Sequence, residues 1–87
     1  MSTKAAPLLG AQIRAARALL RWSANDLAQH SSLGLNTIKR AEATDGNTSL
    51  TAANDQMIRR TLETAGIQFI DKNGGGPGVR LRRAPKD

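Results

Sequence analysis

The side chains best suited to chemistry in this chain lie between Leu35 and Arg40. Asn36, Thr37, Lys39 and Arg40 fall within little more than one helical turn, while Ile38 and Ala41 take the apolar side of the same turn. An amide, a hydroxyl, an ammonium and a guanidinium are donors and acceptors rather than activated nucleophiles. On one helix face they match base edges in a major groove. Asn36 can bond an adenine bidentately, and Arg40 or Lys39 can reach O6 and N7 of a guanine. Thr37 offers a hydroxyl and a methyl, or bonds a phosphate. Leu35 packs on a thymine methyl or, lying three before Ile38, sits at the edge of a core.

Those side chains require a short helix and a neighbour to hold it. From Ser23 to Glu42 the sequence reads as two such helices and a tight turn. Ser23 is an N-cap with Asp26 three residues on, a capping-box pair with Asp in place of Glu or Gln. Helix 2 is predicted over Ala24–His30, with Leu27 and Ala28 inward. Ser31 to Gly34 make the turn, and helix 3 covers Leu35–Ala43. Thr44-Asp45-Gly46-Asn47 ends it.

Upstream, Met1 to Pro7 reads as a flexible tail, with Pro7 near a helix start where a missing N–H costs little. Leu9, Ile13, Ala16 and Leu20 recur at helical spacing and predict helix 1 over Leu8–Arg21. Downstream, Leu50 packs on the core and Thr51 caps helix 4. Met57, Ile58, Leu62 and Ala65 form its apolar side, and Gly66 supplies a left-handed end. The period then changes. Ile67 to Asp71 is β-branched and aromatic, and Val79 to Arg82 alternates apolar and basic. Between them Asn73-Gly74-Gly75-Gly76-Pro77-Gly78 has the freedom a turn needs, so a β-hairpin is expected over 67–83. A phosphate loop would need a helix after the glycines, and a strand follows instead. Residues 84–87 read as a frayed end.

Composition narrows the partners. The chain has 87 residues, enough for one small core, and a net charge of +6 with no cysteine. That balance favours a polyanion, with nucleic acid first. Aromatics are limited to Trp22 and Phe69, too few for a surface that stacks successive bases of a single strand. No run is long enough to span a membrane. The acid-free first 25 residues have the charge of a transit peptide, but their helical apolar face explains them better. Asn47-Thr48-Ser49 matches a glycosylation acceptor and, without a secretory signal, is read as chance. A cytoplasmic, nucleoid-associated bacterial protein is expected.

With these residues in view, Ile13 to Glu42 resembles the Xre (Cro-like) helix-turn-helix family of bacterial and phage repressors. The matching features are Arg17, Leu20, Leu27-Ala28, the short turn, Thr37-Ile38 and Glu42. Leu62 to Ile70 and Asn73 to Arg82 extend the likeness to a proteobacterial subgroup with a C-terminal hairpin. The resemblance implies a mainly α, lambda-repressor-like bundle of four to five short helices. Residues 8–66 would be the DNA-binding domain and 67–83 a dimerisation hairpin. It implies a structural ion pair between Arg17 and Glu42, which the guanidinium fork suits, and places Trp22 in the core. Three departures stand out. Ser32 occupies the turn position usually held by glycine. Gly34 stands where Ser or Thr caps helix 3. Ala24 replaces a glutamine that often bonds phosphate.

Backbone contacts to DNA are then expected from Ser23, Asn25, Asn47, Thr48 and Lys4. Arg14, Arg21, Arg59 and Arg60 read as solvated charges. Arg80, Arg82 and Arg83 grip flanking DNA or keep a strand edge soluble. His30 sits at the end of helix 2, where the dipole favours a cation. Members of the resembled family act as two-fold dimers on inverted half-sites. Ile67, Phe69, Ile70, Val79 and Leu81 offer the dimer surface, with helix 4 as the competing interface.

The expected function is that of a sequence-specific transcriptional regulator of double-stranded DNA. It would be a homodimeric repressor of its own promoter, as in a Cro-like switch of a phage or conjugative element. Two alternatives come from other classes: an antitoxin or other module that holds a protein regulator, and a non-specific architectural DNA binder. With one histidine, no cysteine and seven acids, an enzyme is not expected. Nor is a metal, a cofactor or a small-molecule ligand.

Overall fold

A computed structural model describes residues 6–72 and 74–82. The described chain is mainly helical: α1 (Gly10–Leu20), α2 (Ala24–Ser31), α3 (Leu35–Glu42) and α4 (Ala52–Thr64) precede β1 (Ile67–Ile70) and β2 (Gly78–Leu81). Lys4, Asn73, Arg83 and the expected frayed end lie outside the described residues.

α1 begins later than the sequence predicts, and the cause lies in α4. The Leu8 N–H donates to the Asp55 carboxylate at 2.9 Å, and the Ala6 carbonyl accepts from Arg59 at 2.8 Å. Asp55 and Arg59 are one turn apart on α4, so they pin Ala6 to Leu8 as a strap rather than a helical turn. Pro7 is therefore not a first-turn residue. Leu8 is fully buried, whereas Leu9, expected in the buried stripe, is a half-buried N-cap that bridges to Asn47. At the other end Arg21 takes a left-handed conformation (φ 58°), uncommon for a residue with a Cβ. The Trp22 N–H then closes onto the Arg17 carbonyl at 2.9 Å.

The remaining helix ends follow their caps. The Ser23 hydroxyl accepts from the Asp26 N–H at 3.0 Å, and the Asp26 carboxylate accepts from the Ser23 N–H at 2.8 Å. α2 runs one residue past its predicted end and closes at Ser32 (φ 63°). α3 stops at Glu42, with Ala43 as its cap. The Thr51 hydroxyl accepts from the Asn54 N–H, and Gly66 (φ 112°) turns the chain out of α4.

One core joins helices and hairpin. It consists of Leu8, Ile13, Ala16, Leu27, Ala28, Ile38, Ala41, Ile58, Leu62 and Ile67, with Leu20, Trp22, Leu35, Leu50, Phe69, Val79 and Leu81 packed around it. Burial of each large member stabilises the fold by about 1.5–3 kcal/mol. Met57, expected inside, is exposed, because α4 turns Ile58, Arg59 and Leu62 inward.

β1 and β2 pair antiparallel, Ile67 with Leu81 through Ile70 with Gly78. Ile67 is 1 % exposed, which corrects its assignment to a dimer surface: it fills this chain's own core. The buried Gln12 amide holds the hairpin to α1. Its nitrogen donates to the Gly78 and Ile70 carbonyls at 3.1 and 3.5 Å, and its oxygen accepts from the Leu9 N–H at 3.0 Å. Every polar atom of the buried amide thus has work that water would otherwise do.

Candidate nucleic-acid interface

α3 is held from behind and bare in front. Ile38 and Ala41 are buried, and Leu35 is half-buried against the core, which favours its core-edge reading. Asn36, Lys39 and Arg40 are exposed, and Thr37 is half-buried beside them. All lie on one eight-residue helix, so the structure keeps the expected base-reading set together. The turn that delivers α3 is built by small polar residues. The Ser31 hydroxyl donates to the Ala28 carbonyl and accepts from the Leu33 N–H, and Ser32 takes the positive φ where the resembled family has glycine. Gly34 caps α3 with no side chain.

Two arginines on α1 grip the far end of α3. The Arg17 Nε and one terminal nitrogen donate to the two Glu42 oxygens, each at 2.7 Å, and the other terminal nitrogen donates to the Trp22 carbonyl at 2.8 Å. The hydrogen bond to Glu42 raises the Arg17 pKa above the ordinary arginine range, against the opposing effect of burial. All three guanidinium nitrogens are thus committed inside the protein, which disfavours a phosphate role for Arg17.

Arg14, expected to be a solvated charge, is the second grip. It donates to the Glu42 and Thr44 carbonyls, at 2.5 and 3.1 Å, and pairs with Asp45. It satisfies carbonyls that a helix end otherwise leaves open, at the end where a cation is favoured. Gly10 makes this possible. A Cβ there would collide with the Thr44 carbonyl and lie 2.7 Å from the Ala41 carbonyl oxygen. The Gly10 N–H instead donates to the Gly46 carbonyl at 2.9 Å. Arg59 is likewise not solvated: it is buried, lies 3.7 Å from a Glu63 oxygen and sits over the Phe69 ring.

Beside α3 runs a polar notch of about 140 Å³ lined by Thr37, Arg40, Ser49, Leu50, Thr51 and Asn54. It joins the α3 face to the capped start of α4, where backbone N–H groups and the helix dipole favour an anion. Ser49 and Asn54 were not singled out from the sequence, and Thr51 was read there only as a cap; their polarity beside that cap was the available signal. Of the expected backbone-contact residues, Ser23 and Asn25 are exposed at the start of α2. Asn47 and Thr48 instead line a separate groove with Pro7, Leu50, Ala52, Asp55 and Gln56, and the Thr48 hydroxyl accepts from the Leu50 N–H at 3.2 Å. They are not brought to the notch beside Thr37 and Arg40.

No protein-family model matches the chain, and no curated protein matches it. Among the described residues no group of His, Cys, Asp and Glu could hold a metal ion, and no helix is long and apolar enough to cross a membrane.

Proposed function

We propose that the chain is a transcriptional regulator of the Xre-like helix-turn-helix type, with a lambda-repressor-like helical fold, that reads double-stranded DNA through α3. The observation that carries this reading is the exposed Asn36, Lys39 and Arg40 row on a helix fixed at both ends, with Thr37 and a polar notch at its flank. Asn36 addresses adenine, Arg40 or Lys39 guanine, and the notch a neighbouring phosphate. Repression of its own promoter, as in a Cro-like switch, is the mode the size and the family likeness suggest.

A single domain of this size contacts few base pairs, so the regulator acts as a two-fold dimer. The hairpin supports this. The Arg82 N–H bonds the Gly66 carbonyl, so by ladder parity Ile67 and Phe69 on one edge and Val79 and Leu81 on the other turn their backbone groups outward. Ile70 stands exposed at its tip, while Phe69, Val79 and Leu81 are half-buried.

Fluorescence anisotropy tests the reading, with DNA from upstream of the gene and a scrambled duplex, each at two salt concentrations. Tighter binding to the native duplex at both salts is expected, and Asn36→Ala should erase most of the difference. Equal binding that collapses with salt would leave only phosphate contacts and refute sequence reading on this DNA. A stable heterocomplex with a neighbouring gene's product would favour the protein-holding alternative instead.

A further inference from the structure

The chain's single tryptophan and single histidine stack on each other away from α3. Trp22, at the α1–α2 corner, and His30, in the last turn of α2, have ring centroids 4.3 Å apart and planes 7° from parallel. Trp22, expected to pack in the core, packs against it while half-buried and gives one face to the imidazole. The pair forms one wall of an open groove of about 470 Å³, bordered on the other side by Arg60, Thr61, Thr64 and Ala65 of α4 and its cap.

The lining is selective in its chemistry. The aromatic pair lines one wall with π-systems against which a planar ring can pack. Arg60 is exposed and, among the described residues, has no ion-pair partner. No acid lines the groove. The Thr61 hydroxyl donates to the Met57 carbonyl and keeps its acceptor side, while the Thr64 hydroxyl has no hydrogen bond among the described residues. One permanent cation balances one negative charge, and a guanidinium fork matches a carboxylate bidentately.

We propose that this groove binds a small planar aromatic monocarboxylate, its ring against the Trp22–His30 stack and its carboxylate on Arg60. The site is separate from α3 and does not rest on DNA reading. It sits one residue before the Ser31–Ser32 turn that delivers α3.

The composition supplies the assay. In an NMR titration of the full chain the Trp22 indole N–H and the two C–H signals of the His30 ring need no further assignment. With 2-naphthoate as the probe, both signals should move saturably, with a Kd on the order of 1 mM, as the size of the probe allows. Naphthalene-2-methanol removes the charge and cyclohexanecarboxylate removes the planar ring; each should bind at least about five-fold more weakly. Arg60→Gln should weaken 2-naphthoate by a similar factor while leaving the spectrum of the core unchanged. No saturable movement, equal binding of the neutral probe, or an unaffected Arg60→Gln variant would overturn the proposal. Tighter binding of adenosine monophosphate than of 2-naphthoate would also overturn it, because the site would then select a nucleotide.

Discussion

Replacing Glu42 by glutamine tests how α3 is held. The Glu42 side chain is 8 % exposed and that of Arg17 is 21 % exposed, with two hydrogen bonds of 2.7 Å between them. Loss of one partner from a fully buried pair costs roughly 3–5 kcal/mol, because the other charge is stranded. In an exposed pair the loss is about 0–1 kcal/mol. Arg17 retains the Trp22 carbonyl and some water, and glutamine retains one acceptor, so Glu42→Gln should cost about 2 kcal/mol. In a domain of this size that lowers Tm by roughly 8–16 °C. The assay is urea and thermal unfolding followed by Trp22 fluorescence and helical circular dichroism, with the urea slope expected unchanged. A double variant, Arg17→Met with Glu42→Leu, removes both charges and should lose less than Glu42→Gln alone. If Glu42→Gln loses less than about 0.5 kcal/mol, the pair behaves as an exposed one and the anchoring argument fails. Raising the pH should not weaken the pair from the Arg17 side within the neutral range. With its folded pKa raised, the contribution is complete below the ordinary arginine pKa and lost only above it.

Gly10→Ala should cost at least about 3 kcal/mol, because its methyl meets the Thr44 and Ala41 carbonyls; near-wild-type unfolding would refute the close approach. Gln12→Leu should cost about 2 kcal/mol by stranding the Leu9 N–H and removing the donor that the Gly78 and Ile70 carbonyls share. Hydrogen exchange should then speed up in β1 and β2 before α2 and α3. Ile70→Arg should shift sedimentation toward monomer if the hairpin pairs two copies, while monomer stability changes little at this exposed site. Truncation after Gly66 is a poorer test, since it removes Ile67 from the core and would unfold the chain whatever the interface.

The helices were legible where a local signal decides them. Ser23 with Asp26, Thr51 and Gly66 mark their ends in both sequence and structure, because caps are contacts between residues a few positions apart. The hairpin was legible from its change of period. What escaped were long-range polar bonds. Nothing near Leu8 announces that Asp55 will take its N–H, so a strap was read as a helical turn. Periodicity placed Met57 inward, yet Arg59 occupies that side by bonding Ala6 and covering Phe69. Gly10 and Gln12 look unremarkable in a helix. Their value lies in a carbonyl of the α3–α4 turn and in two carbonyls of a hairpin far along the chain. Of the α3 face, the sequence carried nearly all; the notch residues Ser49, Thr51 and Asn54 required the approach of α4.

Fewer cations are free to meet a polyanion than the composition suggests, and the difference is measurable. Arg14, Arg17 and Arg59 are spent on Glu42, Thr44, Asp45, Glu63 and the Ala6 and Trp22 carbonyls. Asp26 and Asp55 are likewise engaged with backbone N–H groups. Internal bonding thus consumes acids and bases together, while Lys39 and Arg40 stay exposed on α3. If α3 docks on DNA, an exposed cation that meets a phosphate should contribute to the salt dependence of binding, and an internally committed one should not. Lys39→Ala or Arg40→Ala should lower the slope of log K against log salt by about 1 where the side chain meets a phosphate. Where it reads a guanine instead, the substitution should cost about 1–3 kcal/mol and relax the preference at that base. Arg14→Gln should lower stability through the α3 end yet leave the slope unchanged once the protein is folded. A slope that falls with Arg14→Gln and not with either α3 substitution would put the polyanion on α1 and refute the docking of α3.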